Sequence, residues 1–525
     1  MVRVVRKKNR LYLDAPLSMR GEIKACLEDR RWDKENKAWH CRDSARNRYV
    51  LNHVWKNSPE FERYYNPVPT QTIVKRWREV LWPHQLSASH HLIYRKRMIY
   101  AADMGLGKTL TAFAAIDSLL LFKQVRRIWW VADKSALRAY KAEHAKWSPV
   151  FKPDVVINYE SLHKAIAAAN DPPQLVVFDE STAIKNVKAM RTQQALGLVE
   201  LMEDKWGDDC YVWLFTGTPS PLNHLDWYAQ CEVARPGFIK EGDWYRFRER
   251  LAILKKQDFN GNPVQQIVSW KQDEIDFLPK RLAPLVLRHE KGKDDIVQLP
   301  DKIYRTIELE PSLSTKLVAR TIANTAESSA TALIKLRQLS DGFQYREDKT
   351  PLMVDTPKDD ALVQILEKNF SGRIIIYAAF RASVDKVVGI CRAHGWNVLR
   401  VDGRGWTTYG DCRDNPEDFQ KKDDRYLAFV GNPGASSKGL TLTAADTIVF
   451  YSNGFKAEDR WQAEDRIHRA GCTGANIIDL IHLPSDLSIL KNLRAKRHGQ
   501  DSTLEEIREL YDASVRTLPE EECQD

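Results

Sequence analysis

A glycine-rich segment, Ala102-Asp-Met-Gly-Leu-Gly-Lys-Thr109, separates an apolar run from a helical pattern over 110–121. Gly105 and Gly107 let backbone N–H groups approach phosphate oxygens, and the N-terminus of the following helix adds positive partial charge. Lys108 would reach the β- and γ-phosphates, and the Thr109 hydroxyl would hold Mg²⁺. Only Ala102 departs from the GxxxxGK[ST] pattern. A glycine-rich turn with an incidental lysine would rarely combine strand, GKT and helix, so the segment predicts a triphosphate site.

A second candidate, Leu175-Val-Val-Phe-Asp-Glu-Ser-Thr182, is an apolar run that ends in adjacent acids. Asp179 at the tip of a buried strand can coordinate Mg²⁺, and Glu180 can orient and deprotonate an attacking water. Strands that end in two solvated acids are common, so the pattern carries little weight alone. About 70 residues after a phosphate-binding loop, it predicts the acids of a triphosphate hydrolase.

A third candidate lies far along the chain, in Gln462-Ala-Glu-Asp-Arg-Ile-His-Arg-Ala-Gly471. Arg466 and Arg469 are three positions apart, so a helix would place them on one face. Two guanidinium groups on one face suit a γ-phosphate whose charge develops during transfer. The alternative is a salt-bridged helix, because Glu464 and Asp465 are close by, and charged helix faces are usually solvated.

The elements that would position these residues form two series of short apolar runs alternating with helical stretches. The runs are 97–102, 127–132, 155–157, 175–178 and 212–215, then 373–377, 397–401, 426–430, 447–450 and 477–481. Buried parallel strands have this pattern, so it predicts an α/β fold with two parallel-sheet lobes. Between the two series, 313–339 predicts a long helix.

The net charge of the chain is concentrated at its N-terminus. The 525 residues carry 80 basic and 71 acidic side chains, and residues 1–80 contain 19 of the basic and 10 of the acidic ones. Nine aromatic residues lie among those charges. A basic, aromatic-rich module suits phosphate attraction and base stacking. A small domain with an aromatic core and solvated charges would have the same composition. An extended linker, Asn66-Pro-Val-Pro-Thr-Gln-Thr72, would close the module.

Composition excludes several protein classes. Hydrophobic residues make up 43% and charged residues 29%, which is ordinary globular composition. The eight cysteines include no CxxC pair, so neither a zinc ribbon nor a disulfide framework is predicted. No stretch approaches the roughly 18 apolar residues of a membrane span, and the basic N-terminus lacks the apolar run of a secretory signal. We therefore expect an intracellular, cytoplasmic or nucleoid-associated protein.

Taken together, the motifs resemble those of the superfamily-two helicase core, and specifically the Swi/Snf-type DNA-dependent ATPases. Further segments carry this resemblance in the order of the family's motifs. They are Leu81-Trp-Pro-His-Gln85, Thr216-Gly-Thr-Pro219, Leu287-Arg-His-Glu-Lys291, Gln298-Leu-Pro-Asp-Lys302, Val401-Asp-Gly403 and Gly439-Leu-Thr-Leu-Thr-Ala-Ala-Asp446. The resemblance covers roughly residues 80–500. It implies two RecA-like lobes, with ATP-Mg²⁺ in the cleft between them.

The implied organisation is a basic α+β N-terminal substrate-recognition module, two lobes, a helical inter-lobe insertion and a tail. Their ranges are 1–72 for the module, 80–235 for lobe one, 236–356 for the insertion and linker, 357–500 for lobe two, and 501–525 for the tail. Within the module, Arg31-Trp-Asp-Lys-Glu-Asn-Lys-Ala-Trp39 resembles a hairpin of the annealing-helicase (HARP-related) branch. We expect a compact bacterial or phage member of that branch.

The resemblance also assigns roles. The catalytic set is Lys108, Asp179, Glu180, Arg466 and Arg469, and Thr109 with Asp179 would hold Mg²⁺. The ATP-binding set is Gln85 (reading adenine), Asp103, Met104, Gly105, Leu106, Gly107, Lys108, Thr109, Leu110 and Gln462. Candidate DNA contacts are Thr216, Thr218, Lys438 and Thr443.

Some positions depart from the family pattern. Thr182 stands where relatives usually carry the histidine thought to couple hydrolysis to movement, and His289 replaces an arginine of the linking segment. Lys438 and Thr441 alter the usual sequence of their motif. None of these changes removes a catalytic candidate.

The implied function is an ATP-dependent DNA translocase, acting as a monomer on duplex or branched DNA largely independently of base sequence. An RNA helicase is one alternative, although its last motif usually reads HRxGRxxR. A DNA-binding scaffold that uses ATP as a conformational ligand is another, motivated by Thr182. The sequence does not choose between annealing, unwinding and translocation alone.

Overall fold

The uninterrupted apolar runs form parallel strands in both halves of the chain. In the computed structural model the chain comprises two units, Met1–Ile296 and Val297–Asp525. The structure describes residues 3–7, 10–15, 19–20, 23–24, 27, 29–43, 47, 51, 73–134, 136–217, 219, 223–259, 262–282, 284–289, 299–369, 371–411, 416–421, 423–436, 442–469, 472 and 474–495. Within those ranges, no helix combines the length and apolarity that crossing a membrane requires.

The N-terminal module contains a four-stranded antiparallel sheet. Its strands are β1 (Arg3–Lys7), β2 (Arg10–Asp14), β3 (Arg31–Asp33) and β4 (Ala38–Arg42), in the order β1-β2-β4-β3. The predicted hairpin is formed by β3 and β4, with Trp32 opposite Trp39. Asp33 fixes the turn, because its carboxylate accepts from the backbone N–H groups of Glu35 and Asn36 at 2.9 and 3.0 Å. Phe277, which is half-buried and comes from outside the module, packs against the core of this sheet.

A six-stranded parallel sheet forms the centre of the first unit. The strands of the first unit after the module are β5 (Arg97–Ala102), β6 (Ile128–Ala132), β7 (Val155–Asn158), β8 (Leu175–Asp179), β9 (Tyr211–Thr216), β10 (Ala252–Phe259), β11 (Asn262–Trp270) and β12 (Val286–His289). The sheet order is β12-β5-β9-β8-β6-β7. Every residue of β5, β6 and β9 is buried, which explains why these runs carry no polar alternation.

Helices cover this sheet. They are α1 (Lys75–Arg78), α2 (Pro83–Arg95), α3 (Lys108–Leu121), α4 (Ala136–Trp147), α5 (Leu162–Ala168), α6 (Met190–Trp206), α7 (Asp226–Ala234), α8 (Trp244–Leu251) and α9 (Gln272–Leu282). Short 3₁₀ turns occupy Tyr159–Ser161, Ser181–Ile184 and Gly207–Asp209. A continuous apolar core joins the sheet to α6, α7 and the segment of α8 and α9.

The second unit contains a seven-stranded sheet. The strands are β13 (Lys302–Glu308), β14 (Phe343–Tyr345), β15 (Pro351–Met353), β16 (Arg373–Tyr377), β17 (Asn397–Asp402), β18 (Gly405–Tyr409), β19 (Leu427–Gly431), β20 (Thr447–Phe450) and β21 (Ala475–Ile481). The sheet order is β13-β21-β20-β16-β19-β17-β18, and only the β17–β18 pair is antiparallel. Strands β14 and β15 form a separate hairpin.

The helices of the second unit are α10 (Leu313–Thr325), α11 (Ser329–Ser340), α12 (Pro357–Glu367), α13 (Arg381–Ala393), α14 (Pro433–Ser436), α15 (Ala457–Glu464) and α16 (Pro484–Ala495), with a 3₁₀ turn at Pro416–Gln420. Two apolar clusters cover its sheet, one on residues of α12 and α13 and one on residues 442–467. The predicted α/β architecture of two RecA-like parallel-sheet lobes is confirmed.

Three predicted details differ from the structure or lie outside its described part. The single helix over 313–339 is wrong, because Ala326 is extended and Ser328 starts a new helix by accepting from the Thr331 N–H at 3.2 Å. The insertion predicted to be helical also contains the β10–β11 hairpin, and β12 joins the sheet of the first unit. The 66–72 linker and the 501–525 tail lie outside the described residues.

Candidate nucleotide site and catalytic residues

The predicted phosphate-binding loop joins β5 to α3. Gly105 and Gly107 have φ values of +85° and +75°, a region in which glycine is favoured over other residues. Lys108 opens α3, and its Nζ donates to the backbone carbonyl of Ala102 at 2.8 Å. All the predicted loop residues from Asp103 to Leu110 therefore lie in one strand–turn–helix unit. This is the local structure on which backbone N–H groups and a helix N-terminus can bind phosphate.

Helix α2 packs tightly against this loop. The Gln85 amide oxygen accepts from the Trp82 N–H at 3.0 Å, and Gln85 Nε2 donates to the Leu106 carbonyl at 3.1 Å. The ring of His84 also contacts that carbonyl, with Nε2 at 3.2 Å. Gln85, the predicted reader of adenine, is thus buried beside the loop and holds it.

The two predicted acids stand at the end of β8. Glu180 has φ +53°, which strains a residue with a β-carbon, and its N–H donates to Asp179 Oδ1 at 3.1 Å. Burial raises the pKa of the Asp179 carboxyl to about 7, the neighbouring Glu180 charge adds to the rise, and the Lys108 ammonium opposes it. The positive charge of Lys108 therefore acts on the Asp179 carboxyl. Glu180 Oε2 is buried and has no hydrogen-bond partner among the described residues.

Strand β9 lies between β5 and β8, so the residues that follow it lie between the loop and the acids. A β-carbon built on Gly217 would meet Met104 Cγ at 2.9 Å and Lys108 Nζ at 3.6 Å, so only glycine allows this approach. Ser181 donates to Gln230 Oε1 at 2.7 Å, and Gln230 Nε2 donates to the Pro219 carbonyl at 2.6 Å. Gln230 therefore ties the acidic segment to the segment after β9.

An ion pair at the loop was not anticipated from the sequence. Arg288 on β12 binds Asp103 Oδ1 at 2.6 Å and donates to the Ala101 and Gly217 carbonyls at 3.1 and 3.3 Å. The linking segment had been singled out, but its partner could be found only from the strand order, which places β12 beside β5. His289 lies next to it, with its Nδ1 3.2 Å from the Tyr100 hydroxyl.

The arginines of the third motif belong to the second unit. Helix α15 ends at Glu464, so Arg466 and Arg469 lie in the turns beyond it, and the prediction of a shared helix face is wrong. Arg466 is only 3% exposed, and its carbonyl accepts from the Leu442 N–H at 3.2 Å. Arg469 is half-buried, and its Nε donates to the Asp465 carbonyl at 3.1 Å. Gln462 is fully buried.

A buried ionic network fixes the end of α15. Arg460 makes two contacts with Asp479, one of them at 3.0 Å, and binds Glu464 at 2.7 Å. Lys302 binds Asp465 at 2.9 Å and Glu464 at 3.3 Å, and these acids raise the pKa of its ammonium above the usual range. Glu464 and Asp465, which the sequence suggested as partners of the two arginines of this motif, thus form ion pairs with Arg460 and Lys302.

The candidate DNA contacts belong to both units of the chain. Thr216 is fully buried at the end of β9. Thr443 is half-buried, and its hydroxyl donates to Gln420 Oε1 at 3.4 Å. Thr218, Lys438 and Thr441 lie outside the described residues. Thr182, the departure in the acidic motif, is buried at 4% exposure.

The first unit offers oxygen ligands that suit Mg²⁺. The described ranges contain no group of three or more His, Cys, Asp or Glu side chains that could hold a metal alone. Mg²⁺ in nucleotide sites usually keeps several waters and uses one or two carboxylates with the substrate phosphates. The Thr109 hydroxyl and the Asp179 carboxylate, predicted as the Mg²⁺ ligands, fit that mode of binding.

Comparisons with known proteins agree with the motifs. Residues 357–471 match the family "Helicase conserved C-terminal domain". The SWI/SNF-related matrix-associated actin-dependent regulator of chromatin subfamily A-like protein 1 of Xenopus tropicalis is 23% identical over 429 residues, covering 75% of this chain and 42% of that protein. The ISWI chromatin-remodeling complex ATPase ISW1 of Saccharomyces cerevisiae is 22% identical over 447 residues, covering 74% and 37%. This chain spans less than half the length of these curated relatives.

Among solved structures, the Sulfolobus solfataricus SWI2/SNF2 ATPase core in complex with dsDNA matches 84% of this chain and 96% of its own, at 17% identity and a TM-score of 0.36. The sequence matches support the class predicted from the motifs, a helicase-like ATPase of the SNF2 (Swi/Snf) type.

Proposed function

We propose that this protein hydrolyses ATP and uses the energy to move on, or remodel, duplex or branched DNA. The observation that carries the proposal is the convergence of Lys108, Asp179 and Glu180 at one edge of the first unit's sheet. There the pKa of Asp179 responds to both neighbours, and Glu180 Oε2 is buried without a partner among the described residues. Groups with perturbed pKa values beside a phosphate-binding loop are typical of a catalytic site.

In this proposal the loop from Asp103 to Thr109 binds the phosphates of ATP. Backbone N–H groups and the N-terminus of α3 receive the oxygens, and Lys108 turns from the Ala102 carbonyl toward the β- and γ-phosphates. Thr109 and Asp179 would hold Mg²⁺, which neutralises charge on the phosphates when bound. Gln85 reads adenine with groups that its contacts to Trp82 and Leu106 leave unused. These are a second lone pair on its amide oxygen and a second N–H on Nε2.

Glu180 orients the attacking water and accepts its proton. Its backbone is held at φ +53° by flanking contacts, since Asp179 Oδ1 accepts its N–H and Ser181 is bound to Gln230. Strain of this kind persists where the surroundings determine the conformation, and it is frequent at catalytic sites. Arg466 and Arg469 are assigned as the arginines that stabilise the charge developing on the γ-phosphate.

DNA would be held mainly through its phosphates, with Thr218, Lys438 and Thr443 as candidate contacts and the basic N-terminal module as an additional grip, whereas the full burial of Thr216 argues against the direct contact expected of it. The exposed Trp32 in the β3–β4 hairpin supports this role for the module. We also propose that the chain is nearest the annealing-helicase branch, as a bacterial or phage member, on the grounds of its Asp-Glu-Ser motif at 179–181 and of this hairpin. It would then act as an intracellular monomer in DNA repair or replication.

The decisive experiment measures phosphate release from ATP alone and with duplex, single-stranded, forked and four-way DNA, and with RNA. We expect DNA to stimulate turnover, with duplex or branched DNA giving the largest effect. Stimulation by RNA alone would favour an RNA helicase. ATP and DNA binding without turnover would favour an ATP-switched scaffold, and no response to any nucleic acid would contradict the proposed function.

A further inference from the structure

Helix α8 and the β10–β11 hairpin carry an exposed cluster of aromatic and basic side chains. Tyr245 is 51% exposed, and its ring lies 5.3 Å from the ring of Trp244 in an edge-on arrangement. The Arg248 guanidinium lies 5.7 Å from the Tyr245 ring and 5.3 Å from the Trp244 ring. The Lys188 ammonium, from the turn before α6, lies 5.6 Å from the Tyr245 ring. Two cations from separate segments thus meet at one exposed tyrosine.

The hairpin extends this cluster. Arg248 Nη2 donates to Gln265 Oε1 on β11. Gln265 stands opposite Lys256 in the strand register, and Gln266 stands opposite Lys255. Residues opposite each other in an antiparallel pair have neighbouring side chains. Lys188, Tyr245, Arg248, Gln265 and Lys256 therefore form a continuous row, which we call the Tyr245 surface.

Within the described ranges, the cations of this surface, Lys188, Arg248 and Lys256, form no ion pair with a carboxylate, although Glu249 is exposed nearby on α8. Other arginines of the same helix do form such pairs. Arg246 binds Asp243 at 3.4 Å, and Arg250 binds Glu241 and Glu274 at 2.8 Å each. Helix α8 thus carries two arginines that are paired with carboxylates and one, Arg248, whose guanidinium contacts aromatic rings instead.

Aromatic contact fixes a cation without cancelling its charge, because the attraction comes from the ring quadrupole. A guanidinium held in this way is prepared to bind a phosphate through two N–H groups, and a lysine adds a point charge. A row of such groups, spaced along one surface and free of acidic partners, fits the repeating charge of a nucleic-acid backbone better than a single small anion.

We propose that the Tyr245 surface binds the sugar–phosphate backbone of DNA, which deepens and rests on the proposed function. Lys188 follows the 3₁₀ turn Ser181–Ile184, which itself follows Asp179 and Glu180. A DNA strand that binds Lys188 contacts the chain segment that carries the catalytic acids. Occupancy of the surface would therefore raise ATP turnover as well as DNA affinity.

The test compares the full-length protein with K188A, with K256A and with the double variant K188A/K256A. Both altered lysines are exposed, so the substitutions leave the core intact. The matched control is K205A, because Lys205 also lies near an aromatic ring, 6.0 Å from Trp206, but is paired with Asp171 at 3.1 Å. Binding of labelled duplex and single-stranded DNA is measured between 50 and 200 mM salt, and phosphate release is measured with and without DNA.

Each lysine that contacts a phosphate should lower the salt slope of log K by about 0.7–0.9, so the affinity change across that salt range shrinks roughly 2.6- to 3.5-fold per lysine. K188A should also lower the ratio of turnover with DNA to turnover without it, and K205A should change neither quantity. An unchanged salt slope and affinity in the double variant would overturn the proposal, and would leave an acidic protein partner as the ligand for this charge. DNA binding and ATP turnover are measured separately. If the parent protein bound DNA but did not hydrolyse ATP, the proposed function would be contradicted, and the binding measurements would still test this surface.

Discussion

A β-carbon built on Gly107 would lie 2.1 Å from Nε2 of Gln85, so the side chain of Gln85 fills the space beside this glycine, whose φ of +75° also favours glycine. The same amide bonds the loop at Leu106 and its own helix at Trp82. Helix α2 and the phosphate-binding loop therefore form one packed unit. Any change at Gln85 acts on the loop as well as on a bound base.

We predict that Q85A weakens ATP binding more than GTP binding. Loss of the adenine contact affects ATP alone, whereas loss of the bonds to Trp82 and Leu106 affects both nucleotides. Each lost hydrogen bond that leaves a buried partner unsatisfied costs about 1–3 kcal/mol. Titration with fluorescent analogues of the two nucleotides measures the difference. Equal losses would mean that Gln85 only holds the loop.

K108A should lower ATP turnover by roughly 100-fold or more, since removal of one group that stabilises transition-state charge commonly costs that much. The substitution also removes the ammonium that lowers the pKa of Asp179. That pKa, already about 7, should rise further, so less of the carboxylate form is present at neutral pH. Steady-state phosphate release measures the loss. K141A, at an exposed lysine of α4, is the control and should keep parental turnover.

E180Q should bind ATP with nearly parental affinity but hydrolyse it roughly 10²–10⁴-fold more slowly, which is the usual contribution of general base catalysis. Glutamine has the same size and can adopt the same backbone conformation, so the loop and its neighbours stay in place. Equilibrium binding and single-turnover hydrolysis separate the two effects. E160Q, at an exposed glutamate of the same unit, is the matched control. If E180Q turned over at the parental rate, another residue would have to be the base.

Sequence predicted the sheet strands well because their signal is local. Runs such as 97–102 and 373–377 coincide with β5 and β16, since burial on both faces leaves an uninterrupted apolar run. Helix ends were less predictable. The 313–339 pattern contains Ser328, whose side chain caps the start of a second helix at a point that hydrophobic spacing alone does not reveal.

The residues of the candidate site also fall into those that a local motif reveals and those that only the fold brings together. The loop and the two acids could be found from motifs because each lies within a few residues of one strand. The Arg288–Asp103 ion pair and the Gln230 bridge connect positions far apart in the chain, and only the strand order brings them together. The end of α15 is held by ion pairs with Lys302 and Asp479, which are far from this helix along the chain. The position of Arg466 beyond the helix could therefore not be predicted.

R469A should lower ATP turnover severely while nucleotide affinity changes little. In well-studied phosphoryl transfer an arginine finger contributes about 10³–10⁵ in rate, because it acts on charge that develops only during transfer. Phosphate release in the presence of saturating DNA and ATP measures the effect. R392A is the control, since Arg392 is an exposed arginine of the same unit that lies 5.3 Å from the Tyr409 ring. Parental turnover in R469A would remove this arginine from the proposed mechanism.

The N-terminal module should contribute to DNA affinity without contributing to the ATP site. Deletion of residues 1–72 should weaken DNA binding at fixed salt and preserve nucleotide affinity, because the loop and both acids lie outside the module. The deletion also uncovers Phe277 and removes the contact between Lys240 Nζ and the Leu27 carbonyl at 3.0 Å, so it takes packing contacts away from the rest of the first unit.

The substitution W32A avoids that difficulty, since Trp32 is 48% exposed and lies edge-on to Trp39 at 5.4 Å. Stacking of one base on an aromatic side chain is worth about 1–3 kcal/mol, so W32A should lower DNA affinity by roughly 5- to 150-fold if Trp32 stacks on a base. F122A, at a phenylalanine that is 49% exposed in the first unit but outside the module, should bind DNA as the parent does. Parental DNA affinity in both W32A and the deletion would make the module a folding element, whose aromatic residues serve its own core.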